Sequence, residues 1–390
     1  MYVSKNKNEC SGCTACKYSC PHNAITMVED EEGFKYPKIN EDRCINCGIC
    51  HNICPFHKDY NVNGYYDVPL VFAAKNRDEK VRLSSSSGGI FSAISKFVLD
   101  NGGTVYGAAF NDNFEVTHIG AENLAAVDKL KGSKYVQSDL GGVFVDVKRQ
   151  ISNDRYVLFT GTPCQVAGLK AYLGDKNYDK LILVDLVCAG TPSPLVWEKY
   201  VELLQIKNDS KLDKFSFRDK RLGWANSSSY ARFKNGQELF NDYLLDSYRS
   251  IFSGHFASRP SCHSCVFTNF KRISDITIAD FWGIEKYKPE FDDNKGVSLL
   301  LINTNKGKLI FEAINNNIEY EVSNVQEAVQ RNLIMPTKVS PKRKLFWDKF
   351  SKHGYKFVAK KYTTYGLKNR IKQKVLKPIL VKLGILNAKR

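Results

Sequence analysis

Eight of the twelve cysteines fall into two copies of one pattern. Cys10, Cys13, Cys16 and Cys20 are separated by two, two and three residues and followed by Pro21; Cys44, Cys47, Cys50 and Cys54 repeat the spacing and are followed by Pro55. Runs of this kind wrap cubane iron–sulfur clusters, with one thiolate for each iron. Three cysteines spaced by two residues curl around one face of a cluster. The fourth lies too far along the turn and crosses to the other cluster. The spacing therefore assigns Cys10, Cys13, Cys16 and Cys54 to one [4Fe–4S] cluster, and Cys44, Cys47, Cys50 and Cys20 to a second. The crossing joins two half-modules too short to bury much core. Ile25, Ile45, Ile49, Ile53 and Phe56 are expected to pack against the clusters. Two other readings fit less well. A disulfide framework needs an oxidising compartment, and residues 1–10 are polar, without the apolar core of a secretion signal. Zinc sites show pairs of cysteines rather than triplets followed by Cys-Pro. His22, His51 and His57 lie close by and read as bystanders.

Four cysteines remain: Cys164, Cys188, Cys262 and Cys265. Cys262 and Cys265 have metal-ligand spacing. Cys164 opens a helix after Gly161-Thr162-Pro163, where a helix N-terminus lowers a thiol's pKa and favours thiolate. Cys188 follows an apolar strand as Cys164 does, so parallel neighbouring strands would bring both to one carboxyl edge, where ligands tend to bind. Four thiols are what a third [4Fe–4S] cluster needs, and the redox setting favours it. Four-cysteine zinc, a Cys262–Cys265 disulfide, free thiols and a buried structural Cys164 are the alternatives. Two weaker constellations complete the set. Ser84 to Ser87 with Gly88 and Gly89 precede a helix, where free amides attract phosphate; a capped helix is the plain alternative. Arg218 and Lys220 near Trp224 can hold an anion, or form a solvated turn beside a core tryptophan.

The elements that must position these residues change character along the chain. Residues 1–60 read as a two-cluster ferredoxin domain and residues 61–67 as a linker. From residue 68 strands and helices alternate. Strands are expected at 68–74, 103–110, 156–160, 181–187, 276–281 and 297–303; helices are expected at 88–99, 164–173 and from 195. The fold class is an α+β ferredoxin module followed by an α/β body with a partly parallel sheet, divided at 68–150 and 151–335, and a basic amphipathic tail at 336–390.

The formal net charge of +16 is concentrated at one end. Residues 341–390 carry 16 basic and one acidic side chain, which leaves 41 basic against 40 acidic in the preceding 340 residues. Val375, Leu376, Ile379, Leu380 and Leu383 recur near helical spacing with lysines opposite, and aromatic residues interleave with lysines from 344 to 365. This pattern suits an amphipathic segment on an anionic membrane surface. A helix packing on the body with solvated lysines is the competing reading. Nucleic acid is the weakest partner, because the rest of the chain offers no module for it. No apolar run reaches the ~18 residues of a membrane span.

Taken together, these residues resemble the beta-subunit family of coenzyme F420 hydrogenase/dehydrogenase. The resemblance rests on Ser86-Ser87-Gly88-Gly89, the run from Gly132 to Ser138, Gly161 to Gln165, Asp185 to Cys188, Arg259 to Cys265, and Ser274-Asp275 through Asp280 to Gly283. It covers roughly residues 68–330. It implies an iron–sulfur flavoprotein with FAD in the α/β body and a reduced organic acceptor. Ser86, Ser87, Gly88, Gly89, Lys134, Tyr135, Gln137, Ser138, Thr160, Gly161 and Thr162 become FAD contacts. Lys134 offsets phosphate charge or sits near the isoalloxazine, and the last four cysteines become a proximal cluster. Ala189 follows Cys188 where relatives often carry histidine, so a proton-transfer role at that position is not carried over. The expected protein is a cytoplasmic, ferredoxin-linked, flavin-dependent reductase. Its tail is able to dock on the inner face of the cell membrane. Its partners are a redox protein or ferredoxin and a deazaflavin or other small acceptor. A non-catalytic electron-transfer subunit is the alternative. No catalytic side chain is singled out.

Overall fold

The computed structural model describes residues 6–57, 64–174 and 176–371. In chain order its strands are β1 (Ile25–Glu29), β2 (Lys35–Ile39), β3 (Tyr65–Asn76), β4 (Thr104–Phe110), β5 (Val116–Ala121), β6 (Val157–Gly161), β7 (Leu181–Leu186), β8 (Leu212–Asp219), β9 (Ser228–Phe233), β10 (Glu238–Phe240), β11 (Ile276–Asp280), β12 (Ser298–Thr304) and β13 (Ile318–Ser323). The N-terminal module consists of the antiparallel hairpin β1–β2 and two one-turn helices, Ala15–Tyr18 and Ile49–Asn52. Each helix is entered through a left-handed residue, Thr14 at φ 64° and Gly48 at φ 75°. That conformation turns the preceding cysteine loop sharply back on itself.

Eight strands form one mixed sheet in the order β13-β3-β12-β11-β7-β6-β4-β5. Its centre, β4, β6, β7 and β11, is parallel, and the flanking pairings are antiparallel. β6 is buried at every residue and β7 at all but its last, which is why both read as unbroken apolar runs. Successive side chains divide between the two faces. Leu158, Ile182 and Val184 pack with Ile94 of the helix Ile90–Asp100 and Phe311 of the helix Asn305–Ile314. Val157, Phe159, Leu181 and Leu183 pack with Phe144 of the helix Val143–Ser152 and Leu169 of the helix Pro163–Leu173. Two expected boundaries change. Residues 65–67, expected in the linker, belong to β3, and residues 61–63 lie outside the described residues. The division between 150 and 151 falls inside the helix Val143–Ser152, and strands from both sides of it share one sheet.

A second sheet, β10-β9-β8, surrounds an aromatic core with the helices Pro194–Asn208, Tyr243–Ser253 and Arg343–Tyr362. Phe346, Trp347, Phe350 and Tyr355 of the last helix are buried in that core. Of the two readings of residues 344–365, these four aromatics follow the one in which the helix packs on the body, where enough apolar area is covered for protein packing to take them. The helix breaks at Gly354, which has φ 69°. The apolar residues from Val375 to Leu383 lie outside the described residues. Among the described residues, no helix is long and apolar enough to cross a membrane.

The N-terminal module is seated firmly on the body. Arg343 pairs with Glu32 at the β1–β2 turn, Ser193 Oγ donates to the Glu32 carbonyl at 2.5 Å, and Lys35 pairs with Asp139 at 2.5 Å. Gly33, at φ +78°, sits so close to Leu195 that an added Cβ would stand 2.3 Å from the leucine Cβ. Only glycine lets the turn approach this near.

Candidate metal centres and cofactor site

The cysteines of the N-terminal module surround two cavities. The inner one is lined by Cys10, Cys13, Cys16 and Cys54, with Phe56, His51 and His57. The outer one is lined by Cys20, Cys44, Cys47 and Cys50, with Ile25, Ile45 and Ile49. Cys50 also reaches the inner cavity, so it stands on the wall between them. The fourth cysteine of each motif lies with the triplet of the other, as the crossing pattern requires. The Ala24 amide donates to Cys20 Sγ at 3.4 Å. The outer rim is open: Cys47 is exposed, and Ile45, expected to be packed, is 63% exposed.

The other four cysteines meet at the carboxyl edge of the parallel strands. β6 and β7 pair in parallel with Gly161 opposite Asp185, so the chain leaves both strands on the same side. Cys164 lies in the first turn of the helix Pro163–Leu173, and Cys188 just past β7. Cys262 belongs to the short 3-10 turn Pro260–Ser264, and Cys265 follows it. Burial, then the negative charge of Cys262 and of Cys164, raises the Cys188 thiol well above its ordinary value. Burial, then Cys164, pushes Cys265 up to about 12. Cys164 is also raised, by burial first. The Thr191 amide donates to Cys262 Sγ at 3.3 Å, and Thr162 Oγ1 lies 3.2 Å from Cys164 Sγ.

This third set adjoins the inner cavity. A Cβ on Gly168, in the helix that carries Cys164, would stand 2.7 Å from Cys13 Cβ. Burial, then Cys10, Cys54 and Cys164, pushes the Cys13 thiol up to about 12. Among the described residues, no three His, Cys, Asp or Glu side chains are grouped to hold a single metal ion. Single-ion grouping is a tighter requirement than a cubane's: tetrahedral zinc needs thiolates about 3.8 Å apart, whereas a cubane takes them at its separate corners.

Two arginines that the sequence reasoning did not single out hold this edge together. Arg272 Nη2 donates to Asp185 Oδ2 at 2.7 Å and to the Leu186 carbonyl at 3.0 Å, while Nη1 donates to the Phe267 carbonyl at 2.8 Å. It ties the loop after Cys265 to the strand that delivers Cys188. Arg259 Nε donates to the Cys10 carbonyl at 2.6 Å, linking the module to the Cys262 turn. A basic residue beside each cysteine motif was the available signal, but neither spacing nor periodicity shows where an arginine points.

The residues expected around FAD occupy one strip of this edge. The Ser133 amide and Oγ donate to Ser86 Oγ at 2.7 and 3.0 Å, and Gln165 Nε2 donates to Ser138 Oγ at 2.9 Å. Residues 133–138 therefore run from the Ser86 loop to the Thr162 turn. Several members are occupied with holding the strip. A Cβ on Gly88 would lie 2.4 Å from the Ala74 carbonyl, so the loop needs glycine to cross the sheet end. Ser87 Oγ donates to the Val297 carbonyl, Thr160 Oγ1 to the Tyr106 carbonyl, and Gln137 Nε2 to the Ser11 carbonyl, each at 2.8 Å. Tyr135 stacks on Phe252, Gly161 ends β6, and Gly89 caps the helix Ile90–Asp100. Lys134 donates to the Lys129 and Lys131 carbonyls, and burial pushes it down to about 7. Arg218 is paired with Asp280 at 2.9 Å, Lys220 caps three carbonyls and Trp224 is buried, which favours the structural reading of that stretch.

Comparison with known proteins bears on the whole arrangement. Residues 154–328 match the family described as the C terminus of the coenzyme F420 hydrogenase/dehydrogenase beta subunit, and residues 9–58 match the 4Fe-4S dicluster domain. Residues 154–328 thus carry the C-terminal part of this beta-subunit family, and the N-terminal cysteines lie in a 4Fe-4S dicluster domain. The 4Fe-4S dicluster domain precedes a mixed α/β body with a partly parallel sheet. Within the N-terminal module the chain is 37% identical over 60 residues to an uncharacterized polyferredoxin-like protein of Methanocaldococcus jannaschii, covering 13% of this chain and 36% of that protein. It is 38% identical over 50 residues to the pyruvate synthase subunit PorD of Thermotoga maritima, covering 13% of this chain and 46% of that protein. The chain spans less than half the length of these curated relatives. The structure of the F420-reducing [NiFe] hydrogenase complex from Methanosarcina barkeri is similar at a TM-score of 0.45 and 19% identity, over 75% of this chain and 91% of that one.

Proposed function

We propose that the chain takes single electrons from a protein donor, a ferredoxin or a partner subunit, and delivers them through three [4Fe–4S] centres to FAD and a small organic acceptor of the deazaflavin class. Cys20, Cys44, Cys47 and Cys50 hold the outer centre, and Cys10, Cys13, Cys16 and Cys54 the inner one. Cys164, Cys188, Cys262 and Cys265 hold the third. One observation carries this reading: the three four-cysteine sets lie in series, with Cys13 packed against the helix that bears Cys164. When bound, the clusters supply one-electron exchange and the flavin couples it to two-electron chemistry, while the protein supplies placement and tuning. Ser86, Ser87, Lys134 and Thr162 are the side chains of the carboxyl-edge strip proposed to face the flavin nucleotide. The half-buried Lys134 amine has carbonyl partners rather than carboxylates, so an anionic phosphate or reduced ring beside it would favour its protonated form.

Iron and flavin per chain after anaerobic purification test the reading. Three cubanes predict about 12 irons with one FAD. About 8 irons with FAD return the last four cysteines to zinc or free thiols. Full iron without flavin, even after reconstitution, removes the reductase and leaves an electron-transfer subunit. That second reading has its own support: Gly88, Thr160, Gln137 and Ser138 are already bonded within the protein. For the basic tail, we propose anionic membrane contact by residues 372–390. The expected outcome is that pelleting with anionic vesicles at low salt is lost on truncation after Ile371.

A further inference from the structure

Arg259 begins the stretch that supplies Cys262 and Cys265, yet its side chain enters the N-terminal module. It is 1% exposed. Beyond its bond to the Cys10 carbonyl, Nη2 donates to the Lys35 carbonyl at 2.9 Å and lies 3.7 Å from Cys10 Sγ, and Nη1 donates to Gln137 Oε1 at 2.9 Å. The Tyr36 and Phe34 rings lie 4.3 and 5.2 Å from the guanidinium carbon. Gly12, at φ +71°, makes room for it: a Cβ there would stand 3.0 Å from Nη1. None of these partners is a carboxylate. The other deeply buried arginines are neutralised, Arg272 by Asp185 and Arg82 by Asp293. A guanidinium is always charged, and burying it without an anion costs several kcal/mol, so a negative group at Cys10 is the missing partner. A four-thiolate cluster carries such a charge.

We propose that Arg259 is the counter-charge of the inner centre, a positioning residue that raises its reduction potential and holds the electron on the body side of the module. This rests on the cluster reading above. Reduction adds one electron, and so one negative charge, to the centre without making or breaking a bond. A fixed cation beside Cys10 stabilises the reduced form. Among the described residues, neither cavity is lined by Lys or Arg; what sets the inner centre apart is the Arg259 guanidinium behind Cys10, bonded to its carbonyl and 3.7 Å from its Sγ.

The test is an EPR-monitored redox titration of the full, iron-loaded chain, with the outer signal assigned by its loss in Cys47→Ser. Arg259→Gln removes the charge, and Arg259→Lys retains it. Gln137→Glu places a carboxylate on the same guanidinium and serves if Arg259→Gln loads poorly. The expected result is that Arg259→Gln and Gln137→Glu make the inner centre at least tenfold harder to reduce, a fall of about 59 mV for one electron. Arg259→Lys should stay near wild type and the outer centre should not move. Unchanged inner potentials, or equal shifts in both centres, overturn the assignment while leaving the clusters in place. A wild-type chain that binds no iron overturns the cluster reading as well.

Discussion

The N-terminal module and the α/β body each present cysteines in fours, but they assemble them by opposite means. In the module, eight cysteines come from one short stretch with few buried apolar side chains, among them Ala15, Ala24, Ile25 and Phe34. In the body, four cysteines come from distant points, held by strands buried on both faces and by the Arg272–Asp185 pair. The module's interior is its metal, whereas the body's interior is hydrocarbon. The sites should therefore fail in different ways when metal or packing is removed.

The strongest way to break this comparison is to remove the iron. Chelation should expose residues 6–57 to protease while the β3–β13 sheet stays resistant, because a small metal domain gains its folding energy from the metal. Limited proteolysis with mass spectrometry reads the outcome, and equal digestion of both regions would refute it. Packing should act in reverse. Phe159→Ala in the body, or Phe346→Ala in the C-terminal helix, should each cost about 3–5 kcal/mol by urea unfolding. Ile45→Ala on the open rim of the module should change stability by less than about 0.5 kcal/mol.

Acid sharpens the same contrast. His118 is buried against Phe159, with Nε2 3.0 Å from the Thr160 carbonyl, and burial pushes it down to about 4. Between about 6.5 and 4 the unfolded chain binds the proton that the folded chain refuses. Body stability is therefore full above about pH 6.5 and falls as pH drops toward 4, by about 3 kcal/mol over the window. His118→Asn should flatten that slope of unfolding midpoint against pH. A more modest effect than core truncation belongs to the seam between the regions. Glu32→Ala leaves Arg343 without its carboxylate and should weaken docking by about 1–3 kcal/mol, read as faster proteolysis of the module with the body unchanged.

What was legible in the sequence follows the range of the forces involved. The two ferredoxin motifs, the strands at β6 and β7, and the helices after Gly89 and Pro163 were readable because cluster spacing, apolar runs and capping act within a few residues. The carboxyl-edge meeting of Cys164 and Cys188 was readable one step further, since two adjacent parallel strands must deliver their ends to the same side. The aromatics of 344–365 left two readings open, packing on the body and a membrane surface. Amphipathic spacing states that a face will be buried but does not name the surface that buries it.

The sequence by itself determined which cysteines can share a cubane, where the parallel core lies and where the positive charge is concentrated. These depend on covalent spacing and local pattern. The tertiary structure alone decided that the inner ring abuts the Cys164 helix, that Arg259 lies beside Cys10 without a carboxylate partner, and that the last described long helix packs into the core. Those outcomes depend on which buried charges find partners and which apolar faces meet, and the chain makes those choices only when distant segments compete for the same interior.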